Sequence, residues 1–71
     1  MFRDEHAFNF FMIKEPFILL SYVNTKLRDE YSSLSDLASS TGYDELEIVK
    51  ILKEIGYFYD EEQNAFIRRQ L

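Results

Sequence analysis

The sequence predicts a mainly α domain with a small β-hairpin (α+β), three helices in a helix-turn-helix, winged-helix-like order. Three observations predict it. Apolar residues recur at helical spacing in three stretches between Pro16 and Ile55, and Gly42 separates the second stretch from the third. Two short runs rich in aromatic and β-branched residues, "YFYD" and "AFIR", follow Gly56. The spacing Leu37-Ala38-x-x-x-Gly42-Tyr43-Asp44-x-x-x-Ile48-x-x-x-Leu52-x-x-Ile55-Gly56 is that of a helix-turn-helix. A small Ala38 lets the next helix cross closely, Gly42 makes the sharp turn, and Tyr43 fills the gap. Ile48 and Leu52 then pack back onto the preceding helix.

Taken in order, residues 1–12 read as an N-terminal arm or an extra strand, and residues 13–69 as one winged-helix-like domain. In "FNFFMI", Phe8 and Phe10 alternate with Asn9, which allows a third strand beside the hairpin or an aromatic arm. Pro16 suits the first turn of a helix, where its missing N–H costs nothing. The first helix then runs through "PFILLSYVNTKLRDEY", with Leu20, Val23, Leu27 and Tyr31 as its inward stripe and Phe17 extending it. Ile18, Leu19 and Tyr22 widen that face, as a central helix touched on two sides requires.

Ser33 is a good N-cap for the second helix, which carries Leu34, Leu37 and Ala38 inward to Gly42. Asp44 caps the third, with Glu47 completing a capping-box-like pair. Ile48, Ile51, Leu52 and Ile55 form its apolar face, and Gly56 ends it. "EEQN" makes the hairpin turn, with Asn64 able to take a positive φ. Tyr57 and Tyr59 share one strand face toward the core. Phe58 points the other way, onto the arm or into solvent, where with Phe8, Phe10 and Phe11 it forms an apolar patch suited to self-association.

Composition narrows the function. A chain of 71 residues holds one domain and, at this size, buries only about 60% of its unfolded surface. Without cysteine there is no disulfide, thiolate metal site or nucleophilic thiol. No apolar run reaches the length of about 18 residues that spanning a membrane needs. Asp4 and Glu5 sit where a signal peptide wants only positive charge, so a cytoplasmic location is expected.

The net charge of −5 opposes DNA binding, because phosphate contacts draw their free energy from Lys and Arg releasing counterions. A helix-turn-helix reads the major groove with the outward residues of its second helix. Here those are Asp44, Glu45, Glu47 and Lys50, and the hairpin tip adds Asp60, Glu61 and Glu62. Each carboxylate facing a phosphate costs roughly 1 kcal/mol even in water. One acid can accept a bond from cytosine; six in place of cations disfavour nucleic acid.

The remaining cations read first as solvated surface. Lys26 and Arg28 suit the negative end of a helix, and Lys50 can pair with Glu47 or Glu54. A DNA-binding alternative would use Lys26, Arg28, Lys50, Arg68 and Arg69, provided they form one basic face. Asn24 lies on or beside the buried face of the first helix. Left without partners it would cost about 1–3 kcal/mol. It either bonds to backbone in the hairpin or the following loop, or makes a specific contact to a partner.

His6 is the sole histidine, no Ser has a His and an acid in a recognisable motif, and there is no Gly-rich phosphate loop. "DEEQN" looks like a calcium loop but has Ala65 where the glycine belongs and Leu71 where the bidentate Glu belongs. No catalytic residue, metal ligand or cofactor is expected, and an enzyme is not expected.

Glu15-Pro16, "VNTKLRD" (Val23–Asp29), "YSSL" (Tyr31–Leu34), Gly56-Tyr57-x-Tyr59-Asp60 and Asn64-x-Phe66 together resemble the pattern of a small bacterial family, domain of unknown function number 4250. The likeness covers about Ile13 to Ile67. It implies a small bacterial cytoplasmic protein and brings no known activity, cofactor or catalytic residue. The expected function is a non-enzymatic protein-interaction or self-association module, its partner another protein or a second copy. Asn24, Lys26, Arg28 and Phe58 are its candidate contacts. The alternative is a transcriptional regulator with an atypically acidic recognition helix.

Overall fold

A computed structural model of the chain describes residues 15–69. Three helices, α1 (Pro16–Asp29), α2 (Leu34–Thr41) and α3 (Glu45–Lys53), precede strands β1 (Tyr57–Asp60) and β2 (Ala65–Arg68). The expectations for residues 1–12, and for the run Phe8–Ile13, lie outside the described residues.

Local chemistry starts and stops each element. Glu15 caps α1, its Oε1 accepting the Ile18 N–H at 2.9 Å, with Pro16 in the first turn. A carboxylate there also complements the positive end of the helix. The buried face of α1 is Leu19, Val23 and Leu27, not the stripe through Leu20 that the sequence suggested. Steps of four residues form one row on a helix, and this row faces the core. Phe17 is consequently turned outward and is 60% exposed. The helix ends two residues earlier than expected, at Asp29, where the Lys26 carbonyl accepts N–H bonds from both Glu30 and Tyr31.

α2 starts at Ser33, whose hydroxyl accepts the Asp36 N–H at 3.0 Å, and buries Leu34, Leu37 and Ala38. It stops at Gly42, at φ 84°, a left-handed conformation that costs a residue with a Cβ about 1–2 kcal/mol. Asp44 caps α3 by accepting the Leu46 N–H at 3.1 Å. The reciprocal bond from Glu47 to the cap, expected from the sequence, is not among the hydrogen bonds of the described residues; Glu47 is exposed. α3 buries Ile48 and Leu52, with Ile51 half-buried beside them. It ends at Lys53 rather than running to Gly56, because the chain tightens into turns there (Ile55 N–H to the Leu52 carbonyl, Gly56 N–H to the Lys53 carbonyl), and Ile55 lies half-buried past its end.

β1 and β2 form an antiparallel hairpin with Tyr57 opposite Arg68, Phe58 opposite Ile67, Tyr59 opposite Phe66 and Asp60 opposite Ala65. Opposed residues share a face, so Tyr57, Tyr59 and Phe66 look inward and Phe58 pairs with Ile67 on the outer side. Asn64 closes the turn at φ 53°. Phe66 joins Leu19, Val23, Leu27, Leu34, Leu37, Ile48 and Leu52 in one buried cluster, with Tyr31, Tyr57 and Tyr59 packed on its edge.

Candidate functional site

Three regions around this core stand out. The first is a seam joining α1 to β2. Asn24 Nδ2 donates to the Phe66 carbonyl at 3.1 Å, and its Oδ1 accepts the Phe66 N–H at 2.8 Å. The amide thus engages both backbone groups of one strand residue. Of the two readings of Asn24, the contact to the hairpin backbone is the one the structure makes.

Asn64 completes the seam at the turn. Its Nδ2 donates to the carbonyls of Leu27 (3.1 Å) and Tyr31 (2.9 Å), and its Oδ1 accepts the Tyr59 hydroxyl at 2.6 Å. The Tyr59 oxygen in turn accepts the Leu34 N–H at 3.1 Å. Leu27 offers one of the carbonyls orphaned at a helix end, and Leu34 one of the orphaned N–H groups at a helix start. Two hairpin side chains therefore satisfy the end of α1 and the beginning of α2. Sequence reasoning anticipated the positive φ of Asn64 and missed this network. The only local signal was the "N-x-F" spacing, which sets Asn64 and Phe66 on alternate positions beside α1.

The second surface is acidic. Asp44, Glu45 and Glu47 are exposed at the start of α3, and Glu61 and Glu62 at the hairpin turn. Glu45 and Glu61 line the same cleft of about 250 Å³, together with Ser32, Ser33, Ser35 and Tyr59. Two stretches of acid far apart in sequence thus meet in one surface. Leu46, 78% exposed, stands among them. Asp60 takes a structural part instead, its Oδ1 accepting the Glu62 and Gln63 N–H groups and tightening the turn. Among the described residues no group of three or more His, Cys, Asp or Glu is placed to hold a metal ion.

The third surface is a groove of about 770 Å³ between α1 and the hairpin, lined by Phe17, Leu20, Ser21, Thr25, Tyr57 and Ala65 among others. It is open and mainly apolar, with the Asn24 and Asn64 amides along its wall.

Two of the candidate cations are paired with carboxylates close to them in sequence. Lys26 bridges to Glu30 at 2.8 Å and lies 5.6 Å from the centre of the Tyr22 ring, which stands edge-on to Tyr43. Arg28 grips Asp29 with Nε at 2.9 Å and Nη2 at 3.2 Å. That bond, reinforced by the charge, raises the Arg28 pKa; accepting it holds Asp29 below the usual carboxylate range. β2 runs antiparallel to α1, since Asn64 meets Leu27 and Phe66 meets Asn24. Arg68 therefore lies four strand residues, roughly 13 Å, from the turn end where Arg28 sits. Arg68, Arg69 and Lys50 are exposed. Lys50 forms none of the ion pairs seen among the described residues, contrary to the pairing expected with Glu47 or Glu54. Phe58 is half-buried opposite Ile67.

Comparison with known proteins gives a family and nothing finer. The model of a domain of unknown function, DUF4250, matches residues 13–66. No curated protein and no solved structure matches this chain.

Proposed function

Because the chain belongs to the DUF4250 family through residues 13–66, and on that premise, we propose that it is a non-enzymatic module that binds another protein through its acidic face. The observation that carries this reading is the junction of the α3 start with the hairpin turn. Carboxylates of both stretches rim one cleft, and an apolar Leu46 projects beside them. A cationic segment of a partner protein, with an apolar residue to cover Leu46, complements that surface in charge and hydropathy. DNA offers the opposite charge balance: phosphates would meet Asp44, Glu45 and Glu47, where counterion release demands Lys or Arg. Lys26 and Arg28, the cations of α1, already pair with Glu30 and Asp29.

The test is fluorescence anisotropy with a mixed-sequence DNA duplex at low salt and then across a salt series. The expected result is no binding even at low salt. Micromolar binding that weakens steeply as salt rises would overturn the proposal in favour of a DNA-binding regulator. A parallel titration with a Lys-rich amphipathic peptide is expected to shift the amide resonances of residues 44–47 and 61–62.

A further inference from the structure

Two bonds at the margins of the hairpin fix which way its backbone groups point. Asn24 takes both the N–H and the carbonyl of Phe66, so those groups face away from β1. At the open end of the hairpin the Arg69 N–H reaches the Gly56 carbonyl at 2.9 Å. In an antiparallel pair, opposed residues that exchange both ladder bonds alternate with opposed residues that exchange none. Tyr59 stands opposite Phe66 and Tyr57 opposite Arg68, so the bonded pair between them is Phe58 with Ile67. Tyr57 and Tyr59 therefore turn their N–H and C=O groups outward, along the far edge of β1. Among the described residues no hydrogen bond involves these four groups.

The two edges of the hairpin thus differ. α1 closes the β2 edge, where Asn24 bonds Phe66 as a neighbouring strand residue would. The β1 edge keeps a row of unpaired backbone groups, which is a template for one more strand. The acidic cleft lies on this side. It takes Tyr59 from β1, Glu61 from the turn, Ser35 from α2 and Glu45 from α3, and no residue from β2 or α1. Charge selects the occupant, because Glu45 and Glu61 are the charged residues of that lining and both are carboxylates.

Side-chain alternation sets the pattern of the added strand. A residue laid opposite Tyr59 shares its inner face, beside the cleft. One laid opposite Phe58 shares the outer face with Phe58 and Ile67, both half-buried and apolar. We propose that β1 binds a partner protein by strand addition, pairing antiparallel with an extended segment of alternating basic and apolar residues. The basic residues lie opposite Tyr57 and Tyr59, and an apolar one lies opposite Phe58. This rests on the acidic-face reading and adds to it a backbone mode of binding. The basic residues of the segment then carry the N–H groups that face β1, while its apolar residues carry those that face away.

Backbone N-methylation separates this mode from simple charge attraction. The probe is the peptide Thr-Lys-Val-Lys-Val-Lys-Thr, acetylated and amidated, titrated into the isotope-labelled protein and followed by NMR. Methyl groups on the lysine backbone nitrogens remove the donors that face β1. Methyl groups on the valine nitrogens block the opposite edge and leave charge and side chains the same. The parent and the valine-methylated peptide are expected to bind alike and to slow hydrogen exchange at the Tyr57 and Tyr59 amides. The lysine-methylated peptide is expected to bind at least about tenfold more weakly, from two lost backbone bonds. Equal binding of the two methylated peptides would overturn strand addition and leave the acidic-face reading standing. No binding by the parent peptide would remove that reading, and this proposal with it.

Discussion

The α1–hairpin seam and the acidic face of α3 are built on opposite rules. In the seam, Asn24, Asn64 and Tyr59 each bond to backbone groups of another element, at 2.8 to 3.1 Å. In the acidic face, Glu45, Glu47, Glu61 and Glu62 project into solvent and enter none of the ion pairs among the described residues. The difference teaches where polar groups hold the fold together and where charge is left to solvent. Half-buried polar groups must be matched inside the fold, since an unmatched one costs about 1–3 kcal/mol. Exposed charges cost little when unmatched and remain available to a partner. The residues that carry the family resemblance touch both regions: Asn24, Tyr59, Asn64 and Phe66 make the bonds of the seam, while Ser32, Ser33 and Tyr59 also line the cleft beside Glu45 and Glu61.

Substitutions in the two regions should separate by size. Phe66→Ala removes the aromatic that roofs the core and is expected to cost about 3–5 kcal/mol, read as a large drop in the denaturant midpoint. Asn64→Ala leaves the Leu27 and Tyr31 carbonyls and the Tyr59 hydroxyl without their partner at a positive-φ position. A loss of about 1–3 kcal/mol is expected, or several degrees of melting temperature at least. A change under half a kilocalorie would show that water replaces the amide at no cost, and the contrast between the regions would collapse.

Leu46→Ser should do the reverse. Its side chain is 78% exposed, so stability is expected to move by less than about 0.5 kcal/mol while binding of a cationic peptide weakens. A marked loss of stability there would mean that α3 relies on Leu46 for folding. The smallest effect concerns Arg28 and Asp29. The Asp29 carboxyl is held below its ordinary value in the folded chain, so its contribution is present above that ordinary value and fades as pH falls through the lowered one. Because the pair is fully exposed and screened, Arg28→Ala should remove only this slight acid-side slope in stability, and added salt should do the same.

Much of the fold was legible because it is written locally. The caps at Ser33 and Asp44, the left-handed Gly42, the turn at residues 61–64 and both strands follow from residues within four positions of one another. The inward set of α2 and α3 was legible for the same reason. On α1 the reading slipped by one residue, from Leu19 to Leu20. Three successive apolar residues, Ile18, Leu19 and Leu20, satisfy helical spacing about equally well, and only the neighbours decide which faces inward.

The candidate sites were less legible. Composition showed an excess of acid, and the order of elements showed which carboxylates fall at the α3 start and the hairpin turn. That Glu45 and Glu61 share a cleft depends on how the hairpin docks against the helices. By itself the sequence determined the element order, the turns and the charge that α3 presents. The tertiary structure alone decided the partners of Asn24, Tyr59 and Asn64 and the outward turn of Phe17. The physical reason is range: periodicity and capping act over one or two helical turns, whereas Asn64 finds Leu27 across 37 positions of chain. Such a contact exists only once packing has brought those positions together.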